Sequence, residues 1–269
     1  MKIKEIHVGL SGVIPIASYE NLRPAFDITA ELNETDNLDE CFDKLKSTLR
    51  SQFDREANQA KTDLIEKQYK NIRFREKNGK KYPSVTSITD WSKEWRISED
   101  ELLQYGARGT IVHALIGEYI KTGEWVAPET LPTLREDLLV LATGSLGLKY
   151  QDCSHKKFFE QFGKDFEFAE SIEKEVYNDE HLYSGRYDAK CLYKGKLSII
   201  DFKTGSSYHH KQLAAYSVCE EGIEQLVVCP VGVTDNKTGY KKPFVTEQIR
   251  DNFKMFLKDR AKFHKRFGI

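Results

Sequence analysis

SIIDFKTG, residues 198–205, sets an acid and an amine at the end of an apolar run. Ile199 and Ile200 belong to a buried strand, and Asp201 and Lys203 follow where it stops. Side chains two apart on a strand share a face, so Asp201 and Lys203 project into one cleft while Phe202 points back into packing. That pair suits metal-assisted phosphodiester hydrolysis. The carboxylate holds a divalent cation, and the amine orients or deprotonates the attacking water and faces the developing charge. Taken alone, the same tripeptide is far more often a surface ion pair at a strand end. Thirteen positions earlier stands Asp188, within YSGRYDAK on the preceding β run. Lys194-Gly195-Lys196 reads as a tight turn, and the hairpin it closes sets Asp188 beside Asp201. Two converging carboxylates repel unless a cation sits between them, and hard oxygen donors favour Mg²⁺ or Mn²⁺ over zinc.

Working outward, β runs are expected at Ser171–Tyr177, Gly185–Tyr193, Lys196–Lys203 and Gln225–Val231. Helices are expected at Thr86–Lys93, Glu99–Tyr105, Arg108–Lys121, Leu134–Leu141, Lys156–Phe162, His209–Val218 and Glu247–Phe267. Helices, then antiparallel strands, then a helix and another strand give an α/β (α+β) domain over residues 76–269, a mixed sheet flanked by helices. In front, Ile6, Val8 and Leu10 alternate, and a second extended run covers Phe26–Leu32. A helical spacing of Leu38, Phe42, Leu45, Leu49 and Phe53 follows, with Asp36 or Asn37 as its cap. Residues 1–75 therefore read as a small ββα accessory unit. Asn78-Gly79 marks another hairpin turn.

The formal net charge is -1 although 31% of residues are charged, so no basic coat covers the molecule. Phosphate contacts must come from local patches. The last helix offers one, with Lys254, Lys258, Arg260, Lys262, Lys265 and Arg266 opposite Phe253, Phe256, Leu257 and Phe267. Lys258, Lys262 and Arg266 are the candidate DNA contacts there, a solvated surface being the alternative. Trp91, Trp95 and Tyr105 either stack on single-stranded bases or fill the core. The five cysteines form no CxxC pair, which argues against zinc and iron–sulfur sites and fits a reducing cytoplasm. With no signal-like leader and no run of roughly 20 apolar residues, the chain is expected to be cytoplasmic, with no membrane partner.

Gly185-x-x-Asp188, Asp201-x-Lys203 and Gln212-x-x-x-Tyr216, in this order, resemble the core of the PD-(D/E)XK nuclease superfamily, and specifically its RecB-type exonuclease branch. Gly109-x-x-x-His113 resembles that branch's helical histidine motif. YPSVTSI, residues 82–88, is similar to the opening of the nuclease domain in mitochondrial genome maintenance exonucleases and their phage relatives. Phe253–Gly268 resembles the C-terminal helix of those phage proteins. The resemblance covers about residues 80–269. It implies a restriction-endonuclease-like central sheet. It implies a metal held by His113, Asp188, Asp201 and the carbonyl of Phe202, with Lys203 positioning the water. Gln212 and Tyr216 would touch the nucleotide or metal-bound water, and Glu173 or Glu175 would complete the site, family spacing favouring Glu173. The cysteine spacing departs from that of members carrying an iron–sulfur cluster, so none is expected. The implied activity is that of a Mg²⁺- or Mn²⁺-dependent DNA exonuclease acting on single strands or on the ends of double strands. Its setting would be recombination, repair or phage DNA processing, in a bacterial or phage-infected cell. An endonuclease that reads its target through residues 1–75 remains open, as do a silent module gripping DNA ends or a protein partner through that unit, and RNA as substrate.

Overall fold

The computed structural model describes residues 5–17, 20–33, 35–69, 72–93, 97–142, 149–205, 208–232 and 236–269. Trp95 lies outside them. The N-terminal unit holds β1 (Glu5–Ser11), β2 (Ile14–Ala17), β3 (Glu20–Leu22), β4 (Ala25–Glu31) and α1 (Leu38–Gln68). β1 and β4 pair antiparallel, as do β2 and β3, so the unit has two more strands than the alternation of hydrophobic residues revealed. The side chain of Asn37 accepts from the backbone N–H groups of Asp39 and Glu40 and so caps α1. The far end of α1 is tied to the rest of the chain. Ile65 is buried in one of the main cores, and the Lys81 ammonium lies 2.7 Å from Asp63 and 3.0 Å from Glu66.

β5 (Phe74–Lys77) and β6 (Lys80–Pro83) form a hairpin around Asn78 and Gly79, whose φ angles of 54° and 69° are those of a twisted two-residue turn. Then come α2 (Val85–Asp90), α3 (Glu99–Thr122), α4 (Glu136–Ala142) and α5 (His155–Phe162). α3 replaces the two helices expected on either side of Gly106. Ser98 and Glu101 form a reciprocal capping box at its start, and Gly123 closes it with φ 77°. A mid-helix glycine costs about 1 kcal/mol. The buried face runs across the junction through Gln104, Ala107, Arg108, Ile111, Val112, Leu115 and Ile116, and its apolar residues contribute more.

β7 (Phe166–Asn178), β8 (Tyr183–Tyr193), β9 (Lys196–Lys203), α6 (His210–Ser217), β10 (Gln225–Pro230), β11 (Phe244–Thr246) and α7 (Ile249–Phe267) complete the chain. The five-stranded sheet has the order β11-β10-β9-β8-β7. β9 and β10 are parallel, joined across α6, and the other neighbours are antiparallel. β11, three residues long and largely exposed, carries too little apolar pattern to be seen in sequence. The molecule is thus mixed α/β. Alternate side chains of β9 and β10 feed two cores, as period two requires. Ile199, Leu226 and Val228 pack with Leu213 of α6 and Phe256 and Phe263 of α7. Ile200, Phe202, Val227 and Cys229 pack with Val112 and Ile116 of α3 and Phe158 and Phe159 of α5. No described helix is long and apolar enough to cross a membrane.

One irregularity of this sheet makes room for chemistry. The β8–β9 register runs from Tyr193↔Lys196 to Ala189↔Ile200. Beyond that point the first half of β8 turns to another neighbour, since Ser184 bridges to Ser84 and its hydroxyl donates to the Tyr82 carbonyl at 3.1 Å. The sheet forks at Asp188 and Asp201.

Candidate functional site

Past the fork, the edge of β9 has lost its ladder partner, and buried backbone polar groups must be satisfied some other way. Side chains do it. The Phe202 N–H donates to Asp188 Oδ2 at 2.6 Å. The Phe202 carbonyl accepts from His113 Nε2 at 2.5 Å, and the Thr204 carbonyl accepts from Arg108 Nη2 at 2.8 Å. On the opposite edge the ladder is continued by the Val231 N–H, which donates to the Lys203 carbonyl at 2.8 Å. α3 therefore clips alternate carbonyls of one strand end with two side chains five residues apart.

A carbonyl only accepts, so His113 Nε2 carries the hydrogen and Nδ1 is left facing carboxylates. Asp188 Oδ1 stands 3.4 Å from Nδ1, and Glu173 Oε1 stands 3.8 Å from it. One ligand-capable atom each from His113, Glu173 and Asp188 fall within 4.8 Å of one another. Glu173 lies between the pairs Ile172↔Ala189 and Lys174↔Tyr187, so it faces Asp188 across the β7–β8 ladder. Its φ of 52° is a left-handed value that non-glycine residues seldom adopt within a strand. This twist decides between the two glutamates. Glu173 turns to His113, with its Oε2 2.8 Å from Arg186 Nε, whereas Glu175 is taken up by Arg75 at 3.1 Å and Tyr177 at 3.0 Å.

Asp201 and Lys203 meet as their spacing predicts, with Nζ donating to Asp201 Oδ1 at 2.9 Å, while Phe202 is turned into the core. The other oxygen, Asp201 Oδ2, is buried without a hydrogen-bond partner. Burial works against the Lys203 charge, yet the carboxylates of Asp201 and Asp188 hold its pKa above the ordinary lysine value. Burial pushes the Asp188 carboxyl up to about 6; His113 pulls it down, and Asp201 and Glu173 add to the rise.

Tyr216 lies under this cluster, buried and pushed up to about 12 by that burial, with the Lys203 charge opposing the rise. A Cβ on Gly185 would sit 2.1 Å from Tyr216 Cε1, which gives the glycine of Gly185-x-x-Asp188 a packing reason. Gln212 departs from its expected place. Its amide donates to Thr89 Oγ1 of α2 at 2.8 Å, which makes it a tie between α6 and α2.

The basic face of α7 is partly structural. Arg260 is buried and donates to the carbonyls of His181 and Ile269 at 2.9 and 2.8 Å, so it is removed from the patch. Lys258, Lys262 and Arg266 are exposed, and Arg266 donates to the Tyr69 hydroxyl at 2.9 Å. Trp91 is packed edge-on against Phe267, 5.5 Å between centroids, and Tyr105 lies under the Arg108 guanidinium at 4.8 Å. Trp91 thus packs against one of the cores, whereas Tyr105 is half-buried and outside them. Sequence reasoning missed Arg108 and Arg186. The only signal was position, one beside Gly109 and the other inside Gly185-x-x-Asp188.

The donor set fits a hard divalent cation. His113, Glu173 and Asp188 bring one ligand-capable atom each within 4.8 Å of one another. Asp201, near enough to add to the rise of the Asp188 carboxyl, stands outside that group, and its buried, unpaired Oδ2 is an atom that a cation drawn between the two aspartates would satisfy. Comparison with protein-family models and with curated proteins returned no match.

Proposed function

We propose that the chain is a divalent-metal-dependent deoxyribonuclease of the PD-(D/E)XK type, an exonuclease acting on single strands or DNA ends. The observation that carries this reading is the buried, partnerless Asp201 Oδ2, with Lys203 on the other oxygen of that carboxylate and the His113, Glu173 and Asp188 group on the neighbouring elements. A parallel β9–β10 pair joined across α6, with the acids at the end of the hairpin before it, supports a restriction-endonuclease-like core.

Asp188, Asp201 and the Phe202 carbonyl would hold Mg²⁺ or Mn²⁺, with Glu173 and His113 alongside. The bound ion would supply Lewis-acid polarisation of the phosphate and a more acidic water. Lys203, held charged by its two carboxylate neighbours, orients the attacking water and faces the charge developing on phosphorus oxygens. Tyr216 is buried within electrostatic reach of Lys203.

End-labelled single- and double-stranded DNA incubated with Mg²⁺, Mn²⁺ or a chelator tests the proposal. Shortening of linear DNA only with divalent metal is expected, while closed circular DNA stays intact. Lys203→Ala is expected to lower the cleavage rate at least about 100-fold while DNA binding persists. Undiminished cutting by that variant, or cutting in chelator, would overturn the assignment. Nicking of the closed circle would replace exonuclease with endonuclease.

A further inference from the structure

We propose that Arg186 contacts substrate, its guanidinium gripping a backbone phosphate next to the bond that is cut; the inference rests on the nuclease reading above. Arg186 precedes Asp188 by two residues on β8 and so shares its face of the strand. Lys203 and His113 are turned inward. Lys203 is engaged by Asp201, and His113 by the Phe202 carbonyl. Their side chains are 27% and 26% exposed, against 50% for Arg186. A polyanionic strand entering the fork meets Glu173, Asp188 and Asp201, and Arg186, half exposed beside Glu173, is a cation open to solvent next to them.

The attachment of this side chain suits the task. Its Nε is fixed by Glu173 Oε2 at 2.8 Å, and the two terminal amino groups lie beyond that anchor. A planar fork held at its base presents paired donors that match two phosphate oxygens. The anchor also removes rotamer freedom before the strand arrives, which lowers the cost of binding. The left-handed backbone of Glu173 belongs to the same arrangement. At φ 52° its carboxylate spans from His113 to Arg186, and a conformation of this kind persists where the surroundings require it. One carboxylate thereby sets the spacing between the metal ligands and the phosphate grip.

The test uses the full chain carrying Lys203→Ala, with Mg²⁺ present, and a short fluorescein-labelled oligothymidylate read by anisotropy across a salt series. Adding Arg186→Gln is expected to weaken binding about tenfold. It should also make the slope of log K against log salt shallower by about one. Arg186→Lys should restore the slope. Mn²⁺ affinity, followed by electron paramagnetic resonance on Arg186→Gln alone, should stay within about twofold of the parent, since the grip is on the strand. An unchanged salt slope, or a loss of DNA affinity that merely tracks weaker Mn²⁺ binding, would overturn the proposal and leave Arg186 as a prop for Glu173. A parent chain that binds neither Mn²⁺ nor the oligonucleotide would instead overturn the nuclease reading itself.

Discussion

Asp188 has its carboxyl inside the fork, and burial, with help from Asp201 and Glu173 and against the pull of His113, places its pKa at about 6 rather than 3.8. A raised pKa means that the folded chain prefers the protonated acid. The stability this group contributes is therefore full below about pH 4 and is lost as pH climbs through about 6. Without metal, the melting temperature should decline across that window. Asp188→Asn should flatten the decline and, at pH 7.5, melt higher by an amount worth on the order of 1–2 kcal/mol. Mn²⁺ should raise the melting temperature of the parent at pH 7.5, do little at pH 5, and do nothing for Asp188→Asn. Thermal melts from pH 4.5 to 8, with and without Mn²⁺, check all three, and a pH-independent parent would remove the electrostatic basis of the site. Asp201 and Lys203 could be read from sequence because their relation is local, two residues on one strand. Glu173 could not be separated from Glu175, since the choice depends on one left-handed φ that period two does not anticipate. Arg108 and His113 clip the Thr204 and Phe202 carbonyls only because a helix and a strand dock at one height, and no spacing within the chain encodes that.

The fork between β8 and β9 is an arrangement of elements, and it depends on close packing under it. Gly185 presses against the Tyr216 ring, which is buried and has little room to move, so Gly185→Ala should cost about 1–3 kcal/mol by overpacking. Combining it with Tyr216→Leu should recover much of that loss. A double-mutant cycle from urea unfolding measures the recovery, and strict additivity would show that the contact is not the cause. Arg108→Met should cost about 1 kcal/mol or more by leaving the half-buried Thr204 carbonyl without that donor. The boundaries of β9 agree closely with those expected from sequence because Lys194-Gly195, with φ of 51° and 77°, sets its start and the loss of apolar residues after Phe202 sets its end. The two helices expected over residues 99–121 fused because glycine weakens a helix less than a shared buried face holds it.

For the whole molecule, the N-terminal unit bears on more than its own residues. Ile65 and Ile72 sit in the same core as Tyr183, Leu213 and Phe263, and Lys81 joins β6 to Asp63 and Glu66 of α1. Removing residues 1–69 should therefore lower the melting temperature of the remainder by scanning calorimetry. An unchanged transition would instead show that residues 70–269 stand alone. This dependence was illegible in sequence, because the segment's own amphipathic pattern accounts for its helix without revealing what the far end touches. β8 itself belongs to both cores, with Tyr183 and Tyr187 in one and Ala189, Cys191 and Tyr193 in the other. Across that divide a single amide, Phe202 N–H, is tethered by a carboxylate of the neighbouring strand at 2.6 Å. A proton held so closely by an anion resonates well downfield of ordinary amides. That one nitrogen-15 cross-peak would then act as a gauge, shifting when the carboxylate is titrated, neutralised or drawn away, and broadening if the halves of the protein slide past each other.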